Sequence, residues 1–228
     1  MNKIKKIIGL IEEISGSYSG HQIFVDWCAM TAISISNACT LETSDEFKLR
    51  EDVYKHIIGK YQRNDLEKFA EMTALLVLEL EENPRDVLGE IYMQGSFGNK
   101  STGQFFTPYN LSQLLAALTA DESNRAQDGK IQICEPSCGG GGMIIAAAME
   151  LKSKGYNYQD ELEVVAQDLD WNCVYMCYVQ MSLLGISAVV VQGDTLCEPY
   201  SKDTPKQRVK DTPKQRVMVT PMKRGVLM

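Results

Sequence analysis

Apolar residues recur at helical spacing through the first 95 positions and then change period. Ile4, Ile7, Ile8, Ile11 and Ile14 stand three, four and seven apart, as on one face of an amphipathic helix. The same spacing runs through 24–35, 47–61 and 66–80, and Pro84 stops the last of these. After the linker "GSFGNKSTG" (95–103), short apolar runs alternate with helical segments. "KIQICE" (130–135), "EVVAQD" (163–168) and "SAVVVQGD" (187–194) read as buried strands. "GGMIIAAAMELKSKG" (141–155) and "DWNCVYMCYVQMSLLG" (170–185) read as the helices between them.

Strand, helix, strand, helix, strand predicts an α/β architecture with a parallel, right-handed sheet behind an amino-terminal helical domain. The expected organisation is a helical domain over 1–95, an α/β domain over 96–200 and a basic tail over 201–228. Ligands of such sheets sit at the carboxyl ends of the strands, where Glu135, Asp168 and Asp194 fall.

Composition narrows the class. The chain has 228 residues, 44% hydrophobic and 23% charged, enough for one good core and a smaller unit. No apolar run reaches the roughly 18 to 20 residues that span a bilayer; the longest, 23–35, is shorter and broken by Asp26. Glu12 and Glu13 cut short the apolar start, which argues against a secretion signal and for a cytoplasmic protein. Seven cysteines without a CxxC pair fit that compartment as reduced core thiols, and with only two histidines no metal site is expected.

The net charge of −7 argues against a free-standing nucleic-acid binder. It is unevenly spread: from Lys202 onward eight Lys or Arg face two acids, a net +6, leaving −13 elsewhere. This tail contains the octapeptide "KDTPKQRV" twice in succession (202–209 and 210–217). Two copies of eight residues cannot build a stacked core, so the repeat is assigned no chemistry.

The run "EPSCGGGGM" (135–143) carries the candidate chemistry. A nucleotide-hydrolase phosphate loop needs GxxxxGK[ST], and no lysine follows these glycines. A dinucleotide turn needs GxGxxG; only its first half is present, and Glu135 would repel a pyrophosphate. S-adenosylmethionine suits the run better, because its ammonium and sulfonium are cationic. Asp168 could then accept from ribose hydroxyls and Asp194 from the adenine amino group. Each acid also has a plainer reading as a helix cap or turn residue.

Four stretches, "TGQFFTP" (102–108), "EPSCGGGGM", "AQD" (166–168) and "GDTL" (193–196), together resemble the amino-terminal motifs of N6-adenine DNA methyltransferases of the type I restriction-modification M-subunit kind. "DVLGEIYMQG" (86–95) resembles the helix preceding that family's cofactor domain. The resemblance implies a Rossmann-like S-adenosylmethionine-dependent methyltransferase fold with a partial parallel sheet. It implies that Phe106, Thr107 and Pro108, with Phe105 nearby, pack on the methionine end of the cofactor. Glu135, Ser137, Gly139, Gly140 and Gly141 would hold the amino-acid part, Asp168 the ribose and Asp194 the adenine.

DNA is the implied substrate and a specificity or complementing subunit the implied partner. The family's acceptor tetrapeptide, Asn or Asp followed by Pro, Pro and an aromatic, does not occur in the sequence. Residues 217–219 could form a short fourth strand, which would make Thr220 and Pro221 its nearest stand-ins as catalytic residues. The expectation is therefore a chain truncated before the target-base half. Its sheet would have an open edge, a place for a homodimer or a partner. A non-catalytic cofactor-binding or interaction module is the alternative.

Overall fold

The computed structural model describes residues 2–14, 16, 18–97, 106–120, 125–126, 128–200 and 217–225. Five helices come first: α1 (Lys3–Ile14), α2 (Gly20–Ala38), α3 (Asp45–Ile58), α4 (Arg63–Glu82) and α5 (Val87–Gln94). Ser19, Ser44 and Asp86 cap α2, α3 and α5, each side chain accepting a first-turn N–H. Each cap satisfies a donor that the helix itself leaves without a partner. Ile4, Ile7, Ile11 and Ile14 of α1 are buried, and the helix packs on α4. Asp26, which interrupts the apolar run of α2, is buried but accepts from Gln22, Lys60 and Tyr61. Pairing of this kind is what makes a buried charge tolerable.

Then follow α6 (Tyr109–Thr119), β1 (Ile131–Glu135), α7 (Gly142–Ser153), the short α8 (Tyr158–Glu161), β2 (Leu162–Asp168), α9 (Trp171–Leu183), β3 (Ser187–Gln192) and β4 (Val217–Val219). β1, β2 and β3 are parallel and adjacent in chain order, with Ile133 opposite Val164 and Val165 opposite Val189. This is the sheet expected from the alternating periods. α9 packs on β2 and β3 and, on its other side, on α2. Phe24, Trp27, Val174 and Tyr178 therefore belong to one continuous core.

β4 is a strand as expected, but it pairs with β3 antiparallel, Val219 opposite Val189 and Val217 opposite Val191. The reversal carries Thr220 to the amino-terminal end of β3, away from the carboxyl ends where a ligand would sit. There it is fully buried, its hydroxyl donating to the Ile186 carbonyl and accepting the Ala188 N–H, both at 2.9 Å. Thr220 and Pro221 thus stand at the end of the sheet opposite the carboxyl ends of β1 to β3.

Basic residues pin this segment. Arg50 donates to the Val217 carbonyl at 2.7 Å, Lys223 pairs with Glu163 at 2.6 Å and Arg224 with Glu46 at 2.9 Å. Apart from Val217, the duplicated octapeptide lies outside the described residues.

Two surfaces stand out. Arg125 bridges Ile131, but beyond it the outer edge of β1 has no strand partner among the described residues. α6 buries Ser112 and Ala116, while Leu111, Leu114, Leu115 and Leu118 are exposed at the i, i+3, i+4, i+7 positions of one face. No helix among the described residues is long and apolar enough to cross a membrane.

Candidate functional site

The chain leaves β1 at Glu135 and turns sharply before α7. The Cys138 N–H donates to the Gln167 carbonyl at 2.9 Å, and the Gly141 N–H to the Cys138 carbonyl at 2.8 Å. Gly139 and Gly141 have φ of +50° and +92°, a region that costs a residue with a Cβ about 1–2 kcal/mol. The other two glycines answer to a close neighbour. A Cβ on Gly140 would lie 3.2 Å from Asp86 Oδ1, and one on Gly142 only 2.9 Å from Asp86 Oδ2. Turn geometry favours a bare backbone at two positions, the buried carboxylate crowds a side chain at Gly142, and the same carboxylate with the Met176 methyl leaves little room at Gly140.

That carboxylate belongs to a hydrogen-bond network under the turn. Gln180 of α9, fully buried, donates to Asp86 Oδ1 at 2.8 Å and to the Gly140 carbonyl at 2.7 Å, and accepts the Leu88 N–H at 3.0 Å. Asp86 Oδ1 also accepts the Gly89 N–H at 2.9 Å. One side chain thus ties α5, α9 and the glycine turn together. Burial pushes the Asp86 carboxyl up, against the opposing pull of the bonds from Gln180 and Gly89.

At the end of β2, Asp168 Oδ2 accepts the Gly139 N–H at 2.9 Å and Oδ1 the Asp170 N–H at 3.0 Å. After β3, Asp194 Oδ1 accepts the N–H groups of Leu196 and Cys197 at 2.9 and 3.3 Å. A bond from the Cys197 side chain, helped by these N–H groups, holds the Asp194 carboxyl below the usual range. The Thr195 hydroxyl donates to the Pro136 carbonyl at 2.6 Å, joining the turns after β1 and β3. Glu135 Oε1 accepts the Ser137 N–H at 3.2 Å; burial raises its pKa, and the charge of Asp168 raises it further.

A cavity of about 290 Å³ opens over the turn. Of the residues named from the sequence, Phe106, Thr107, Ser137, Gly139, Gly140 and Asp168 line it. Pro108 lines an adjoining cavity of about 360 Å³ that shares Phe106 and Thr107. Glu135, Gly141 and Asp194 are not in the wall of either, Thr220 and Pro221 are at the other end of the sheet, and Phe105 lies outside the described residues.

Several lining residues escaped the sequence reading. Asp86 carried a readable signal, an acid just before an apolar helical run, but as a cap. Ser112 carried none. Cys138 and Cys173 also face the cavity, and both thiols are pushed up, Cys138 by its bond to Cys177 and by burial, Cys173 by burial. They read as packing groups, not nucleophiles.

The profile of the N-6 DNA methylase family matches residues 83–220, more than half of the chain. The type I restriction enzyme MpnII methylase subunit of Mycoplasma pneumoniae is 26% identical over 126 residues, covering 52% of this chain and 22% of that protein. Among solved structures, a type I restriction-modification system methyltransferase subunit from Streptococcus thermophilus aligns at 15% identity and a TM-score of 0.48, over 89% of this chain and 60% of its own. A protein described as a class I S-adenosylmethionine-dependent methyltransferase from Listeria monocytogenes aligns at 16% identity and a TM-score of 0.44, over 88% and 66%. The chain spans about a fifth of the length of the curated relative and less than two thirds of either solved structure.

Proposed function

Because the chain belongs to the N-6 DNA methylase family, we propose that it binds S-adenosylmethionine over the glycine turn and serves methyl transfer to the N6 amino group of adenine in DNA. The observation that carries this reading is the cavity itself. It lies at the carboxyl ends of β1 and β2, floored by glycines and walled by carboxylates, with no basic side chain in its wall among the described residues. A cationic ligand suits such a wall and a pyrophosphate does not.

The bound donor supplies an electrophilic methyl group on a sulfonium; the residues of this chain hold and orient it. Asp168 accepts a backbone N–H on each oxygen and a bond from the Cys173 thiol, and its remaining acceptor capacity serves the ribose hydroxyls. Asp194, which also accepts from the Cys197 side chain, offers its remaining acceptor capacity to the adenine amino group. Phe106, Thr107 and Pro108 pack on the methionine end, while Ser137, Gly139 and Gly140 approach its amino-acid part. Gly141 lets the turn pass close to α9, and Glu135 acts from behind Ser137 through its charge.

Thr220 and Pro221 cannot accept a target base from their buried corner. The acceptor groups are proposed to come from protein beyond these residues, a complementing or specificity subunit as the relatives' role within type I restriction enzymes suggests. That same placement favours a second reading, a cofactor-binding module without turnover.

Calorimetric titration of S-adenosylmethionine tests the first point. Saturable binding is expected, weakened at least about tenfold by Asp168→Ala; no heat from the wild type would sink the proposal. Labelled methyl transfer to adenine-containing DNA, with and without the complementing subunit, then separates the enzyme from the module.

A further inference from the structure

One carboxylate in the wall of the cavity has no cation. Asp86 is 6% exposed, lines both cavities and forms no ion pair among the described residues. Its neighbour Arg85 is engaged elsewhere, with Glu79 at 2.8 Å and Glu90 at 2.9 Å. Both hydrogen bonds to Asp86 end on Oδ1, and none among the described residues reaches Oδ2. Isolated buried charges are strongly disfavoured unless something pairs with them.

A second polar atom in the same wall is also unsatisfied. Ser112 is fully buried, and its hydroxyl has no hydrogen-bond partner among the described residues, although it lines the cavity. Orphaned buried hydroxyls are uncommon, because each forgoes the hydrogen bond it had with water. Ser112 stands in the first turns of α6, whose amino-terminal N–H groups favour an anion and have no side-chain cap. The cavity therefore offers an acceptor for a cation and, from α6, a donor for an anion. By contrast, the other carboxylate in the wall, Asp168, already accepts a backbone N–H on each oxygen.

We propose that Asp86 and Ser112 form the subsite for the zwitterionic amino-acid end of the methyl donor, Asp86 facing its ammonium and Ser112 its carboxylate. This rests on the S-adenosylmethionine reading above and adds to it two residues outside the glycine run. It also explains why α6 turns a serine inward and its leucines outward: the inward face is the wall of a binding site. The hydroxyl left unsatisfied in the folded chain is kept for the ligand, a strain of the kind that binding sites store.

The test compares two neutral thioethers, S-adenosylhomocysteine, which has the amino-acid end, and 5′-methylthioadenosine, which lacks it. Asp86→Asn keeps an acceptor for the Gly89 N–H, and Ser112→Ala removes only the orphaned hydroxyl. Each is expected to weaken S-adenosylhomocysteine on the order of tenfold while 5′-methylthioadenosine stays within about twofold. Ser112→Ala is further expected to melt no lower than the wild type, so a loss of binding in that variant cannot be ascribed to misfolding. Equal losses for both ligands, or unchanged S-adenosylhomocysteine affinity, overturn the subsite and leave the cofactor reading standing. A wild type that binds neither ligand overturns both.

Discussion

Glu135 closes β1 with a carboxyl whose pKa is raised above its ordinary 4.5 by burial and by the nearby Asp168. The sign of the consequence is definite. Protonation removes the charge that attracts a cationic ligand, so affinity is full above the raised pKa and is lost as the pH falls through it. S-adenosylmethionine binding is expected to weaken on acidification before an ordinary glutamate would titrate, by at most about tenfold per pH unit for one proton. Titrations at a series of pH values check this, and Glu135→Gln should flatten the profile. Asp86, also raised by burial, acts with the same sign and is expected to add to the slope left in Glu135→Gln. A profile unchanged by the substitution would mean that Glu135 does not act on the ligand at all.

Among the elements, β4 shows where local reading stops. Its three residues, Val217, Met218 and Val219, have the apolar character of a strand, and a strand forms there. Its direction depends on how the chain returns to β3, which no local property encodes. Because Thr220 bonds to both Ile186 and Ala188, Thr220→Val is expected to destabilise the fold by about 1–3 kcal/mol in chemical denaturation while leaving cofactor affinity unchanged. A variant that lost binding without losing stability would restore Thr220 to the site. α6 teaches the converse lesson. The helical spacing of its leucines is plain, yet the side it buries holds Ser112 and Ala116, because that side packs on α7 and the glycine turn.

Across the whole molecule, the stretch of β1 that has no strand partner among the described residues and the leucine face of α6 are surfaces that chains in solution tend to cover. Self-association through them is the expected outcome for the isolated chain. Sedimentation velocity should show a concentration-dependent shift that the double substitution Leu114→Lys and Leu118→Lys abolishes, with the helical circular dichroism signal retained. A wild type that stays monomeric at all concentrations would reserve these faces for a different chain.

What the sequence by itself determined is what short-range physics controls. The amphipathic spacing of the isoleucines in α1 and the apolar runs of β1 to β3 follow from hydrophobic periodicity within a few residues. The parallel order of the three strands follows from their connecting helices. Only the tertiary structure decided that β4 runs backwards, that Asp86 crowds the turn at Gly140 and Gly142, and that Ser112 faces a cavity. Those outcomes depend on contacts such as Gln180 with Asp86, 94 residues apart, whose formation is set by how whole elements pack. A chain that is read a window at a time carries no local trace of them.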